Sequence, residues 1–125
     1  MSARSRSYGC QVLAGLIGSM TAALGYSANY ACSGPVNGVT AGPNGVVAAE
    51  SAGGQHWGYF CQLNTTVNNV DADGCKGILS VLLAAQASGK SVSVWYTDDH
   101  DCTWHGTNGA WTWLATWYWG PTINN

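Results

Sequence analysis

Apolar and polar residues along this chain fall into short alternating runs around one longer stretch of helical period. Trp57 to Leu63 is aromatic and apolar enough for a strand. From Gly74 the period changes. Ile78, Leu82 and Ala85 fall on one side of a helix and Leu79 and Leu83 on the adjoining side, with Lys76, Ser80 and Gln86 outside the stripe. Asp71 and Asp73 stand where free helix amides need acceptors, and Gly89 followed by Lys90 predicts the stop. Val92, Val94 and Tyr96 then alternate with Ser91, Ser93 and Trp95, the period of a strand with two unlike faces.

The same patterning places the remaining elements. Residues 36–41 form a first strand after a short lead-in at Cys32 to Pro35, and Gly42-Pro43-Asn44-Gly45 predicts a tight turn into a strand over Val46 to Glu50. Ser51 to Gln55 reads as a connecting loop, and Thr97 to Gly109 as a polar, turn-rich loop. The last strand is predicted over 111–119, with Trp111, Trp113, Trp117 and Trp119 on one face and Gly120-Pro121 ending it. The order β-β-β-α-β-β suits a mainly β domain with one helix, a small five-stranded Greek-key barrel of the oligonucleotide/oligosaccharide-binding (OB) type stapled by disulfides. The alternative is an open antiparallel sheet with the helix on one face.

Residues 1–27 have the layout of an export signal: Arg4 and Arg6, then an uncharged apolar run from Val12 to Leu24, then small residues at Gly25, Ser27 and Ala28. That run is too short and glycine-rich for a membrane span. Residues 28–125 are then a single secreted or periplasmic domain, small enough to need covalent support. Its four cysteines allow three pairings. Cys61 with Cys75 and Cys32 with Cys102 is the favoured one, the first closing a short loop worth about 3 kcal/mol of unfolded-state entropy.

Charge removes two classes of partner. Residues 28–125 carry only Lys76 and Lys90 against Glu50, Asp71, Asp73, Asp98, Asp99 and Asp101, a balance that disfavours nucleic acid and anionic lipid. Asp98, Asp99, His100, Asp101 and His105 form the densest polar cluster, but without the regular ligand spacing of a calcium loop, so a solvated acidic loop is expected and no metal or cofactor. Catalysis is not expected either. There is no nucleophile elbow, HExxH or phosphate loop, and Glu50 is the only glutamate.

W-G-Y-F-C at 57–61, Cys75, the helix ending A-S-G-K at 87–90 and the strand S-V-S-V-W-Y-T-D at 91–98 together resemble the binding subunit of subtilase cytotoxin and related pentameric toxin B subunits, over residues 57–98. The resemblance implies an OB barrel, a homopentamer ringed around its helices, an enzymatic A subunit as partner, and a site for a terminal sialylated glycan. It assigns Tyr96 to the tyrosine that ends the family's strand. Asn37, with Ser33 second, stands nearest the sugar-contacting serine of the first strand, and Gln62 and Leu63 replace an acidic residue. All seven tryptophans lie beyond residue 56, and flat indoles bind the apolar faces of sugar rings. Trp104 and Asp98 therefore join Tyr96, Asn37 and Ser33 as candidate carbohydrate-binding residues. The expected function is an exported, lectin-like glycan-binding subunit for cell-surface oligosaccharide; the alternative is an exported structural or protein-interaction module using the Trp-rich face, with no sugar site.

Overall fold

The computed structural model describes residues 29–125, so the predicted signal segment lies outside the described residues. Six strands and two helices follow in the order β1 (Tyr30–Pro35), β2 (Asn37–Ala41), β3 (Val46–Ala52), β4 (Gln55–Gln62), α1 (Ala72–Ser88), β5 (Ser91–Tyr96), α2 (Cys102–Asn108) and β6 (Trp117–Ile123). They make two antiparallel three-stranded sheets, ordered β1-β5-β6 and β2-β3-β4. The chain is mainly β, as expected, but the single closed barrel with one helix is corrected to two sheets and two helices.

Why two sheets form is legible at Val36. This buried residue alone separates β1 from β2. Before it, Tyr30 to Pro35 pair with Tyr96 to Ser91; after it, Asn37 to Ala41 pair with Ser51 to Val47. One extended run thus serves both sheets, and the Cys32 to Pro35 lead-in is a full strand. A second link comes from residues 111–114, which run parallel to β4: Trp111 N–H donates to the Trp57 carbonyl, Tyr59 N–H to Thr112, and Leu114 N–H to Tyr59, each at 2.9 Å.

The turns follow their chemistry. Gly45 (φ 83°) completes the turn between β2 and β3, where Gly45 N–H donates to the Gly42 carbonyl at 2.9 Å. The expected loop at 51–55 is instead a two-residue hairpin turn, Gly53-Gly54, with φ of 58° and 79°, which glycine adopts without a Cβ penalty. For α1, Asp71 accepts the Gly74 N–H at 2.6 Å, and Gly89 takes the left-handed cap at φ 67°. Cys75, Leu82 and Ala85 are the helix residues sealed against the sheets, packing with Phe60, Val47, Val92 and Val94; Leu83 stays 46% exposed, so the apolar stripe is narrower than its period suggests. The disulfides are Cys61–Cys75, which clamps α1 to β4, and Cys32–Cys102, which ties α2 to β1.

The C-terminal quarter departs most from the expected pattern. Cys102–Asn108 is a helix rather than a loop, capped by Asp101, whose carboxylate accepts the Trp104 N–H at 2.8 Å. The last strand is 117–123 rather than 111–119, and it runs through Pro121, as an edge strand can because it needs no outward donor. Thr116 in the left-handed region (φ 62°) turns the chain between the two paths, so the four indoles do not share a face. Trp111 and Trp113 lie beside β4, Trp117 packs edge-on to Phe60 at 5.8 Å, and Trp119 is 65% exposed.

Candidate functional site

Three features compete, and burial sorts them. The first is the polar cluster that contains the predicted Tyr96 and Asp98. Tyr96 ends β5 with its ring sealed from water, its hydroxyl accepting the Gln55 amide at 2.8 Å and its face stacked on His105 at 3.7 Å. A ligand cannot touch it. Asp98 is turned inward rather than solvated, which corrects the acidic-loop expectation at its first residue. Its carboxylate accepts from the hydroxyls of Tyr30 and Thr116, from His100 N–H at 3.0 Å and from His105 Nε2 at 3.0 Å. Burial pushes the Asp98 carboxyl up, but the hydrogen bonds from Thr116, Tyr30 and His100 and the charge of His105 outweigh it and hold it at about 2. An ionised carboxylate only accepts, so Nε2 of His105 carries the proton. Burial lowers the His105 pKa, with Asp98 opposing, and raises that of Tyr30 and Tyr96. The carboxylate of Asp98 is fully engaged by its neighbours, the buried Gln55 side-chain oxygen is left without a partner, and no nucleophile is activated. Its work is to brace α2 against β1 and β5.

The other predicted residues scatter. Trp104 is half covered by His100, whose ring stacks on it at 3.6 Å. Ser33 is exposed on β1 and bonds Ser93; Asn37 is exposed on β2 and donates to Ser51 at 3.2 Å. Asp98, Tyr96 and Trp104 therefore meet around His105, whereas Ser33 and Asn37 bond on separate sheets.

The second feature is a groove of about 560 Å³ along β6, walled by Trp117, Tyr118, Trp119 and Pro121 and by the Asn68–Asn69 turn, with Ile78 of α1 beneath. The amide of Asn68 is already spent on the carbonyls of Leu114 at 2.9 Å and Phe60 at 3.3 Å, so it fixes the turn.

The third feature is a cleft of about 180 Å³ on the outer face of β2-β3-β4, lined by Thr40, Gly42, Asn44, Val46, Ala48, Trp57, Tyr59 and Trp111. Trp57 and Trp111 stack with centroids 5.1 Å apart and planes within 10°. Both have left-handed backbones, φ 52° and 60°. A bulky residue there is strained by about 1–3 kcal/mol, and such strain persists only where surrounding structure imposes it. The Trp111 to Trp57 hydrogen bond imposes it here, holding the two strained residues side by side. Tyr59 sits edge-on to Trp111 at 6.5 Å and to Trp113 at 5.7 Å, so the platform is fixed from below, while Trp111 stays 61% exposed.

Comparison with family models, with curated proteins and with solved structures finds no match for this chain. The site must be read from its own geometry. No group of His, Cys, Asp and Glu among the described residues is arranged to hold a metal ion, and the cleft's eight lining residues include none of these types. What the cleft offers is a rigid, flat indole face, a phenol, a hydroxyl and an amide. Sequence reasoning named the aromatic strand at 57–63 and the tryptophans at 111 and 113 without joining them. Their alternation carried the aromatic signal, but the parallel path and the left-handed backbones that bring them together leave no mark in the pattern.

Proposed function

We propose that this chain is an exported, lectin-like module of OB-like Greek-key design that seats a sugar ring on Trp111, in the cleft between Thr40, Asn44 and Tyr59. The observation that carries the reading is the stacked Trp57–Trp111 pair, held in strained backbone with most of one indole left to solvent beside polar edges. Stacking a pyranose C–H face on a preorganised indole costs little ordering entropy, which is what a weak, specific sugar site requires. The OB-like part is supported by the single-residue join at Val36 and by the parallel pairing of 111–114 with β4.

Export is supported by the two disulfides, and no helix among the described residues is long and apolar enough to cross a membrane. The resemblance adds a homopentamer around α1 and an enzymatic A subunit; exposed Leu83 between Ser80 and Ala84 gives such packing a surface. A second reading, an interaction module with no sugar site, draws on exposed Tyr118 and Trp119 beside the β6 groove. A glycan array on the folded chain separates the two. Binding should appear and fall at least about tenfold in Trp111→Ala, the loss of a buried-on-binding aromatic anchor, while Trp119→Ala should leave it unchanged. Silence across the array, or loss only in Trp119→Ala, would overturn the sugar site.

A further inference from the structure

The cleft's hydrogen-bonding groups are already half committed, and what remains selects a ligand. Thr40 donates its hydroxyl proton to the Gly38 carbonyl at 3.1 Å, so toward the cleft its oxygen can only accept. Asn44 uses its side-chain oxygen to accept the Val46 N–H at 3.3 Å, so its amide N–H2 is left to donate. An acceptor and a donor thus flank one flat apolar face.

Charge sets the second condition. No Lys, Arg or His lines the cleft. The nearest ionisable side chain on the same face of β3 is Glu50, two residues beyond Ala48 and so pointing the same way. It lies over β2, for a Cβ placed on Gly38 would fall 3.1 Å from the Glu50 carboxylate. The lining gives an anionic sugar no cation to meet, the Glu50 carboxylate stands on the same face, and the basic side chain at the edge is His56, edge-on to Trp57 at 6.4 Å. A charge desolvated without a partner is disfavoured.

Resting on the sugar-binding reading above, we infer that the site takes an uncharged pyranose with two adjacent equatorial hydroxyls, one donating to Thr40 Oγ1 and its neighbour accepting from the Asn44 amide, while the axial C–H face lies on Trp111. Such a diol completes both half-used groups at once. A sialic acid, the sugar implied by the toxin resemblance, carries a carboxylate and so fails the charge condition.

Two tetramers serve as probes for titration calorimetry or tryptophan fluorescence on the full chain: cellotetraose, neutral and rich in equatorial diols, and α2,8-linked tetrasialic acid. Cellotetraose should bind and quench or shift the Trp emission, tetrasialic acid should bind at least tenfold more weakly, and Thr40→Val, nearly isosteric, should weaken cellotetraose binding three- to tenfold with the melting temperature unchanged. Glu50→Gln should narrow the gap between the two sugars. Tetrasialic acid binding as tightly as cellotetraose would sink the ligand assignment and leave a sugar site in place. An unchanged Thr40→Val would sink the diol contact, and no binding of either tetramer, alongside a silent glycan array, would remove the sugar site itself.

Discussion

At the scale of single residues, the buried cluster around Asp98 makes the clearest quantitative demand. Its folded pKa is depressed from 3.8 to about 2, so Asp98 contributes stability that is full above the unfolded value and lost as pH falls from about 4 to 2. For a side chain only 9% exposed the shift corresponds to about 2 kcal/mol. His105 adds an earlier slope. Its folded pKa is also lowered, so below its ordinary 6.5 the unfolded chain takes up the proton first, and the native state weakens as pH drops through that region. Urea midpoints measured from pH 8 to 2 should therefore fall in two steps. Asp98→Asn should flatten the acidic step and lower the plateau, and His105→Gln should remove the step near neutrality; a wild type with a flat profile down to pH 4 would show that His105 is not buried neutral. Asp98 was visible in the sequence only as one of several acids near a histidine. Which acid turns inward depends on Tyr30 and Thr116, 68 and 18 residues away, and no local pattern encodes that.

Among the elements, those whose signals are local were legible and those made by distant pairing were not. α1 announces itself through Asp71 and Gly89, β5 through its alternation, and the turn into β3 through Asn44-Gly45. α2 has weak helix formers, Thr103, Gly106 and Thr107, and stands because Asp101 caps it and Cys102 is bonded to Cys32. The Trp111–Trp119 run alternates as a strand should, yet Thr116 breaks it and each half finds a different partner. The two disulfides should consequently differ in effect. Cys61–Cys75 spans 14 residues and Cys32–Cys102 spans 70, which in the chain-entropy model are worth about 3 and about 4 kcal/mol. Replacing Cys32 and Cys102 by alanine should lower stability by the larger amount and open α2 to hydrogen exchange first, with β2-β3-β4 still protected. Replacing Cys61 and Cys75 should instead loosen the start of α1. Equal protection loss across both sheets in the Cys32/Cys102 variant would contradict this division.

Over the whole molecule, the arrangement depends on how closely the two sheets approach where β1 passes the turn between β3 and β4. A Cβ on Gly34 would fall 2.6 Å from the Gly54 nitrogen, and one on Gly53 would fall 2.9 Å from Val94 Cγ2. Backbone against backbone at Gly34 leaves nothing that can swing aside, so the seam admits glycine alone. The same seam lets Val36 cross from one sheet to the other while remaining buried, and it fixes where β4, and with it Trp57 and the cleft, lies relative to the β1-β5-β6 sheet. Forcing a methyl into such a contact costs about 1–3 kcal/mol, so Gly34→Ala should lower the urea midpoint by that order. Gly77 is the internal control: it is mid-helix, exposed and with nothing within 4 Å of an added Cβ, so Gly77→Ala should stabilise by about 0.5–1 kcal/mol. Because the seam joins both sheets into one core, wild-type unfolding followed by far-UV circular dichroism and by tryptophan emission should coincide, the first reporting the backbone of all strands and the second the indoles on β4, β5, β6 and α2. In Gly34→Ala the two curves should separate, emission moving first as the sheets part. Coincident curves with an unshifted midpoint in that variant would mean that the sheets do not meet there.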